Sequence, residues 1–484
     1  MSAMPPTHPA ELMRTALSVL TQVAADLAPL GDMFAADGHE LALVGGPVRD
    51  AFLGRRSDDH DFATSAPPEV TERILRAWGE ATWDMGREFG TIGARRGEAI
   101  VEVTTYRTEE YDPTSRKPTV AFGDTLEGDL SRRDFRVNAM AVRLPDLTFV
   151  DPFSGLSDLA DGVLRTPSSP QQSFEDDPLR MMRAARFAST LGLDVAPEVM
   201  AAMSELAPRL AIVSAERVQG ELVKTLMAPA PRRGIELLVE TGLADVVLPE
   251  LPAMQLEIDE HHRHKDVYAH SLTVLEQAID LETGPDGAVP GPDLVLRIAA
   301  LLHDIGKPAT RRNEPGGRVS FHHHEIVGAK MARKRMRALA FDKATTAAVT
   351  DLIALHLRFH GYGEAAWTDS AVRRYVTDAG PQLERLHRLT RADCTTRNRK
   401  KAERLSHAYD DLEARIAELR EQEELDAVRP DLDGNQIMEI LGIGPSREVG
   451  LAYKHLLALR MEEGPLGPER ATAELRAWWE ANRP

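Results

Sequence analysis

The stretch that decides the fold is LALVGGPVRDAFLGRRSDDHDFAT, residues 41–64. Its apolar start predicts a strand, and the Gly45-Gly46 turn after it leads into a helix that carries Arg49 and Asp50. Glycines at such a turn let backbone N–H groups approach a phosphate chain closely. The order of strand, Gly-Gly turn and helix therefore predicts an α/β unit with an anion-binding turn.

A second strand in this stretch, DHDFA, carries Asp59 and Asp61. Alternate residues of a strand face the same side, so the two carboxylates project together. They repel each other unless a cation lies between them, and Mg²⁺ binds such oxygens together with substrate phosphates. An isolated Asp-x-Asp is usually two solvated acids. So close to a Gly-Gly turn, it predicts a nucleoside-triphosphate site for metal-assisted phosphoryl or nucleotidyl transfer.

The composition of the 484-residue chain is that of a globular protein, with 43% hydrophobic and 28% charged residues. At roughly 150 residues per domain, this length predicts about three domains. The single cysteine, Cys394, excludes a disulfide framework and a multi-cysteine zinc site. No apolar run approaches the roughly 18 residues of a membrane span, and the first ten residues lack signal-peptide features, so we expect a cytoplasmic protein with no membrane partner.

The net charge of −18 argues against a nucleic-acid partner when taken alone. The segment 311–340, however, carries eight Lys or Arg residues against two acids, and basic residues recur in 397–404. Such strips are often solvated helix faces, but they also allow salt-dependent binding along a phosphate backbone. An RNA partner is therefore compatible with the acidic composition.

Five motifs in order resemble the nucleotidyltransferase superfamily related to DNA polymerase β, in the bacterial branch of CCA-adding tRNA nucleotidyltransferases and poly(A) polymerases. The first is the stretch 41–64. The later ones are DLSRRDFRVNAMAV (129–142), DPFSGLSDLADGVLR (151–165), EDDPLRMMRAARFA (175–188) and SAERVQGELVKTL (214–226). The resemblance implies a polymerase β-like α/β head, template-independent addition of nucleotides to RNA, and tRNA and nucleoside triphosphates as partners.

The resemblance also implies roles for single residues. Asp59 and Asp61 would be catalytic and hold Mg²⁺. A set of residues in the head would contact the triphosphate and ribose: Gly45, Gly46, Arg49, Asp50, Arg132, Arg133 and Asn138. Asp177 and Arg180 would pair with the incoming C or A, because a carboxylate accepts from an exocyclic amine and a guanidinium donates to ring acceptors. Glu102 is either a third metal carboxylate or an exposed strand acid.

Two features indicate which kind of enzyme within this branch the chain resembles. Poly(A) polymerases carry Gly, two basic residues and Phe after the Asp-x-Asp motif, whereas here Gly86 is followed by Arg87 and Glu88. The segment 104–122 resembles a flexible loop that enzymes adding only CC lack. Its basic residues are Arg107, Arg116 and Lys117. Together these features favour addition of complete CCA to tRNA from CTP and ATP; a poly(A) polymerase and an enzyme that adds only A are the alternatives.

The second half of the chain carries a set of His and Asp residues that resembles the HD phosphohydrolase superfamily: His270, His303, Asp304 and Asp393, with His324 and His356 where two-metal members place extra ligands. Nitrogen and oxygen donors of this kind suit a divalent transition metal. A lone buried histidine is usually a satisfied core residue. The resemblance implies metal-dependent hydrolysis of phosphoesters, including 2′,3′-cyclic phosphate ends.

Short apolar runs alternate with turns over residues 40–150 and predict strands, FRVNAMAVRL (135–144) among them, whereas almost everything after Asp176 has helical periodicity. The fold class is therefore an α/β nucleotidyltransferase head followed by a mainly α-helical neck, HD body and tail. The predicted boundaries are 1–35 for an N-terminal tail and helix, 36–166 for the head, 167–255 for a neck that selects the base and binds RNA, 256–400 for the HD domain and 401–484 for a helical tail.

Two other classes of function compete with this prediction. One is an HD phosphohydrolase whose head only binds nucleotides, and the other is a non-catalytic binding module. The intact pair of Asp59 and Asp61 argues against the first, since a degenerate head should have lost a carboxylate, and the complete set of acids and base-selecting residues argues against the second. The sequence does not indicate the oligomeric state, and the tail serves as scaffold, dimer helix or RNA contact.

Overall fold

The structure is a computed structural model, and it describes residues 8–56, 59–110, 119–122, 125–255, 266–315, 319–359, 367–395, 398–423 and 429–482. The chain forms two compact units, residues 1–249 and 250–484. In the described part, no helix has the length and apolar character needed to cross a membrane.

The first unit is built on a mixed sheet whose strand order is β3-β4-β5-β2-β1-β8-β9. Its strands are β1 (Leu41–Val44), β2 (Asp59–Thr64), β3 (Ala81–Gly86), β4 (Thr91–Arg96), β5 (Ala99–Thr105), β8 (Ala141–Leu144) and β9 (Thr148–Val150). A separate hairpin pairs β6 (Arg107–Glu110) with β7 (Thr119–Phe122), and β10 (Val163–Leu164) pairs with β11 (Asp194–Val195). Only β2 and β5 run parallel among the paired strands of the mixed sheet that the structure describes.

Helices cover the sheet and continue into a helical layer in the same unit. They are α1 (Pro9–Ala36), α2 (Gly46–Phe52), α3 (Pro68–Trp78), α4 (Leu126–Ser131), α5 (Gly155–Asp161), α6 (Pro170–Asp176), α7 (Leu179–Leu191), α8 (Pro197–Leu206), α9 (Ala215–Leu226), α10 (Pro231–Glu240) and α11 (Leu243–Val247). β1 is buried along its whole length, as a central strand covered on both faces should be.

The strand expected over 135–144 begins later than its apolar pattern indicates. Residues 136–138 form a 3₁₀ turn, and β8 starts at Ala141. The buried Asp134 side chain accepts hydrogen bonds from the backbone N–H of Phe135 and from Nδ2 of Asn138. These local bonds bend the backbone and compete with the sheet ladder.

The second unit is helical. Its elements are α12 (Glu250–Ala253), α13 (Val267–Asp280), α14 (Leu294–Leu302), α15 (Lys307–Thr310), β12 (Arg312–Asn313), β13 (Val319–Ser320), α16 (His324–Ala338), α17 (Lys343–Leu355), α18 (Asp369–Ala379), α19 (Leu383–Asp393), α20 (Arg399–Glu423), α21 (Gly434–Leu441), α22 (Arg447–Glu463) and α23 (Pro468–Asn482). The central helix α14 packs against α13, α17 and α19. Helices α21–α23 enclose a small apolar cluster around Ile437, Leu456 and Leu475.

Candidate active sites

A cleft of about 980 Å³ opens in the first unit above the β2–β5 part of the sheet. Its lining contains most residues predicted for the nucleotide site: Gly45, Gly46, Arg49, Asp61, Arg107, Arg132, Arg133, Asn138, Asp177 and Arg180. Asp50 lies outside the lining. The side chain of Asp59 and the loop residues Arg116 and Lys117 lie outside the described residues.

The carboxylates of the cleft come from two neighbouring strands. Asp61 on β2 is paired in register with Glu102 on β5, both side chains are exposed, and both line the cleft. β2 begins at Asp59, two residues before Asp61. Carboxylate oxygens completed by phosphates are the donor set that Mg²⁺ prefers. These residues therefore fit a magnesium site, and Glu102 is the nearest additional acid by register.

The Gly-Gly turn is held by a chain of polar contacts. Nη1 of Arg49 donates to Oδ1 of Asn138 at 2.6 Å, and Nε of Arg49 donates to Asp50 at 2.9 Å. Asn138 donates in turn to the buried Asp134, which pairs with Arg183 at 2.7 Å. Burial favours the neutral acid, but the Arg183 charge and the hydrogen bonds from Asn138 and Phe135 together outweigh it and keep the pKa of Asp134 below its ordinary value. Asp50 thus positions Arg49 instead of lining the cleft.

A buried acid also orients the next two arginines. Asp129 has a side chain that is 1% exposed, and it pairs with Arg132 at 2.9 Å and with Arg133 at 3.2 Å. Burial raises the pKa of Asp129, but the two guanidinium groups overcome this and lower it. Gly45 has a φ of 74°, and a Cβ there would lie 2.8 Å from Nη1 of Arg133. The left-handed backbone at this position favours glycine, and the missing side chain leaves room for the guanidinium of Arg133.

The two residues predicted to select the base are already bound by the protein. Oδ2 of Asp177 lies 3.0 Å from Nη2 of Arg217 on α9, and its other oxygen accepts a backbone N–H. The buried Arg180 donates to Oγ of Ser173 at 2.9 Å and to the carbonyl of Arg132 at 2.5 Å. Both side chains are therefore fixed before a nucleotide arrives.

The HD residues come together at one place in the second unit. They lie on α13 (His270), just after α14 (His303 and Asp304), at the start of α16 (His324), just after α17 (His356) and at the end of α19 (Asp393). All four histidines and Asp304 are buried. The ligand atoms form two groups that each could hold an ion, His270 with His303 and Asp304, and Asp304 with His324 and His356. Asp304 belongs to both groups.

Distances within this cluster are short. Nε2 of His270 lies 2.9 Å from Oδ1 of Asp393, and Nε2 of His303 and of His324 each lie 3.2 Å from an oxygen of Asp304. Nζ of Lys307 lies 2.9 Å from Oδ2 of Asp304. Every pair brings an imidazole nitrogen or an ammonium against a carboxylate.

Backbone carbonyls fix the orientation of three of the imidazoles. Nδ1 of His303, His324 and His356 lies 2.8, 2.8 and 2.7 Å from the carbonyl oxygen three residues earlier. Nδ1 therefore carries the proton and Nε2 faces the cluster, as is usual for metal-binding histidines. Nε2 of His303 and of His324 is buried and makes no hydrogen bond within the described residues. These orphaned atoms fit divalent transition metals.

Burial and neighbouring charges strongly shift the pKa values of two histidines in the cluster. Burial alone lowers the pKa of His303, but Asp304 and Asp393 outweigh it and raise that pKa to about 10. Burial and the charge of His303 lower the pKa of His356 to about 3. Two imidazoles of the same cluster thus have pKa values shifted in opposite directions.

Close backbone contact joins the two halves of the cluster. A Cβ at Gly306 would lie 2.1 Å from the carbonyl oxygen of His324 and 2.7 Å from the backbone nitrogen of Gly328. The turn after Asp304 therefore packs directly on the first turns of α16.

Comparison with known proteins identifies the family. Residues 41–165 match the poly(A) polymerase head domain, residues 192–254 the probable RNA- and SrmB-binding site of polymerase A, and residues 267–398 the HD domain. An A-adding tRNA nucleotidyltransferase of Deinococcus radiodurans is 34% identical over 448 residues, 91% of this chain and 95% of that protein. The chain belongs to the tRNA nucleotidyltransferase and poly(A) polymerase family.

Other members of this family match over a shorter range. A CCA-adding enzyme of Streptococcus gordonii is 39% identical over 233 residues, so the chain matches 57% of that protein's length. The crystal structure of the Bacillus stearothermophilus CCA-adding enzyme in complex with CTP has a TM-score of 0.68 at 25% identity, and covers 94% of this chain and 97% of that one. The predicted family and fold class are confirmed.

Three side chains of this nucleotidyltransferase were not predicted for the site. Asp134 and Arg183 hold Asn138, and Arg217 holds Asp177. Each lies inside a family motif, so the motif strings contained the signal. The pairings themselves, such as the one between residues 177 and 217, depend on the packing of α7 and α9 and cannot be obtained from spacing.

Proposed function

We propose that this chain adds C, C and A to the 3′ end of tRNA, using CTP and ATP and releasing pyrophosphate. One observation carries this proposal. A single cleft joins the Asp61 and Glu102 carboxylates to the Asp177 and Arg180 pair through a set of oriented arginines. We further propose a cytoplasmic location, since that is where tRNA meets these triphosphates.

The phosphate chemistry is assigned to the head. Asp59 and Asp61 would hold Mg²⁺, which when bound lowers the pKa of the attacking 3′ hydroxyl and stabilises charge at the α-phosphorus. The Gly45-Gly46 turn offers backbone N–H groups to the triphosphate. Arg49, oriented by Asp50 and Asn138, places a fixed positive charge beside it. Such preorganised charges need no rearrangement as the pyrophosphate departs.

Base selection is assigned to Asp177 and Arg180. A carboxylate that accepts and a guanidinium that donates fit the amine and ring nitrogen that C and A share, whereas U and G present a carbonyl in place of the amine. Because Arg217, Ser173 and the Arg132 carbonyl hold these two side chains, the protein itself acts as the template.

Addition of A alone is the second candidate, because a relative that matches along nearly the whole chain is an A-adding enzyme. An addition assay separates the two. The protein is incubated with Mg²⁺, labelled CTP and ATP, and tRNAs that end before CCA, after C and after CC. CCA addition extends all three to the same end point. An A-only enzyme extends only the tRNA that ends in CC, and a poly(A) polymerase makes long tails with ATP alone.

We propose hydrolysis of phosphoesters at the HD cluster as a further activity of this chain. The buried Nε2 atoms of His303 and His324, aimed at Asp304, support it. RNA ending in a 2′,3′-cyclic phosphate is the test substrate, with Ni²⁺, Co²⁺ or Mn²⁺ added to chelator-treated protein. Opening of the ring only when metal is restored supports the proposal, and metal-independent or absent hydrolysis contradicts it.

A further inference from the structure

The strand register places an aromatic ring next to the carboxylates of the head cleft. Trp83 on β3 pairs with Gly93 on β4, Gly93 pairs with Glu102 on β5, and Glu102 pairs with Asp61 on β2. Directly paired residues share a face of the sheet, so these four positions form one row across four strands. All four line the cleft.

Glycine at position 93 leaves room for the indole. A Cβ at Gly93 would lie 2.1 Å from both Cε2 and Nε1 of Trp83, so the indole occupies the place where a side chain would stand. Since neighbouring strands are about 4.8 Å apart, the ring lies about one strand from Glu102 and two from Asp61. Trp83 is only partly buried, which leaves surface of the ring open to the cleft.

The order of strands decides which substrate meets this ring. The Gly45-Gly46 turn follows β1, on the opposite side of Asp61 from Trp83. In a nucleotidyl transfer the attacking and leaving oxygens stand in line on opposite sides of the phosphorus. With the triphosphate at the turn, the 3′ hydroxyl of the RNA must approach from the β5, β4 and β3 side.

Resting on the proposed function, we propose that the indole of Trp83 stacks on the base of the RNA nucleotide that carries the attacking 3′ hydroxyl. The position of Arg133 supports this division of labour, because this residue lines the cleft and its Nη1 lies at the turn, 2.8 Å from where a Cβ at Gly45 would stand. Stacking suits a site that must accept successive 3′ ends, since every base has a π-face. Trp83 is a positioning residue in this scheme.

The test uses a tRNA acceptor minihelix with 2-aminopurine at its 3′-terminal nucleotide, bound to the full chain without nucleoside triphosphate. Stacking quenches the probe, so binding to the wild type and to Trp83→Phe should lower its fluorescence. Trp83→Leu should leave it largely unquenched at saturation. A second minihelix with the probe inside the stem reports binding alone. Quenching of the terminal probe by Trp83→Leu to the same extent as by the wild type overturns the proposal.

Kinetics give an independent readout. Trp83→Leu should raise KM for the minihelix about tenfold, as expected for loss of one base–aromatic stack, with KM for CTP within about twofold of the wild type. A larger rise in KM for CTP than for RNA would place the ring against the incoming nucleotide and refute the assignment. Trp479→Leu, a partly buried tryptophan outside the cleft, is the matched control and should change neither constant.

Gly93→Ala is a second variant that tests the stacking without removing the indole, because the added methyl group displaces the ring. It should reproduce the loss of terminal quenching, and in the Trp83→Leu background it should add little further change. Normal quenching in Gly93→Ala would contradict the stacking geometry. Failure of the proposed function is visible separately, since the wild type would then add no nucleotide, whereas the quenching measurement needs only binding.

Discussion

The head cleft and the HD cluster both bring together residues that fit divalent cations, but they do so in opposite ways. The carboxylates of the cleft, Asp61 and Glu102, are exposed, whereas His303 and Asp304 of the cluster are each 1% exposed. An exposed oxygen site binds Mg²⁺ together with substrate phosphates, while a buried set of oriented nitrogens binds its metal alone. Under the proposed function, one cation would arrive with the substrate and the other would be resident.

The means of orientation differ as well. In the head, buried acids such as Asp129 and Asp134 aim arginines into the cleft. In the cluster, main-chain carbonyls aim imidazoles at Asp304. Charges hold the first site and backbone holds the second, so the two should respond differently to mutation and to pH.

The largest effect that separates the two sites is expected for Asp61→Asn. We expect it to lower nucleotide addition at least about a hundredfold, because the preorganised charge for the metal is lost, and to leave metal-dependent hydrolysis unchanged. Product length on a gel measures addition, and opening of the 2′,3′-cyclic phosphate to a phosphomonoester measures hydrolysis. Asp84→Asn, an exposed acid of β3 outside the cleft lining, is the control. Equal loss of both activities would show that the sites are not independent.

The converse change is His324→Gln. It should weaken metal binding at the HD cluster about tenfold to a hundredfold, because the affected nitrogen faces Asp304. Nucleotide addition should stay within about twofold of the wild type, because the residues of the cleft belong to the first unit. Metal content after dialysis, measured by mass spectrometry, reports the affinity. His323→Gln changes a neighbouring side chain that is 83% exposed and should have no effect. Normal metal content in His324→Gln would remove this residue from the ligand set.

A smaller effect tests whether the head needs its orienting contacts. Arg217→Ala frees the Asp177 carboxylate, and we expect discrimination of CTP against UTP to fall about tenfold, the worth of one charge-assisted hydrogen bond. Competition of labelled CTP and UTP for one tRNA measures it. Lys224→Ala on the same helix, with a side chain that is 64% exposed, is the control. Unchanged discrimination would mean that Asp177 is held by its backbone contact alone.

The smallest effect concerns stability in acid. Asp129 and Asp134 have lowered pKa values in the folded head, so their ion pairs contribute fully above the unfolded pKa of about 3.9 and are lost as pH falls through the folded value. The free energy of unfolding of the first unit should therefore fall as pH decreases below about 4. Urea melts of the wild type and Asp129→Asn measure it, and the variant should show a flatter acid limb.

The sequence was sufficient for the fold class, for the Gly45-Gly46 turn at the end of β1, and for the convergence of the HD residues. These depend on local patterns, or on strings of residues that a known family shares. It was not sufficient for the Arg217 contact or for the row that joins Trp83 to Asp61. Both depend on which strands and helices become neighbours, and that is decided by packing of the whole unit.

The contact between Gly306 and the start of α16 has a consequence for the metal cluster. Side-chain rotation can tilt a ligand, but the spacing between the His303 turn and His324 is set by main chain resting on main chain. The main chain therefore fixes the distance between the two groups of candidate metal ligands. A single methyl group at Gly306 would push the two backbone segments apart. Because Asp304 belongs to both groups of candidate ligands, the geometry of both would change at once.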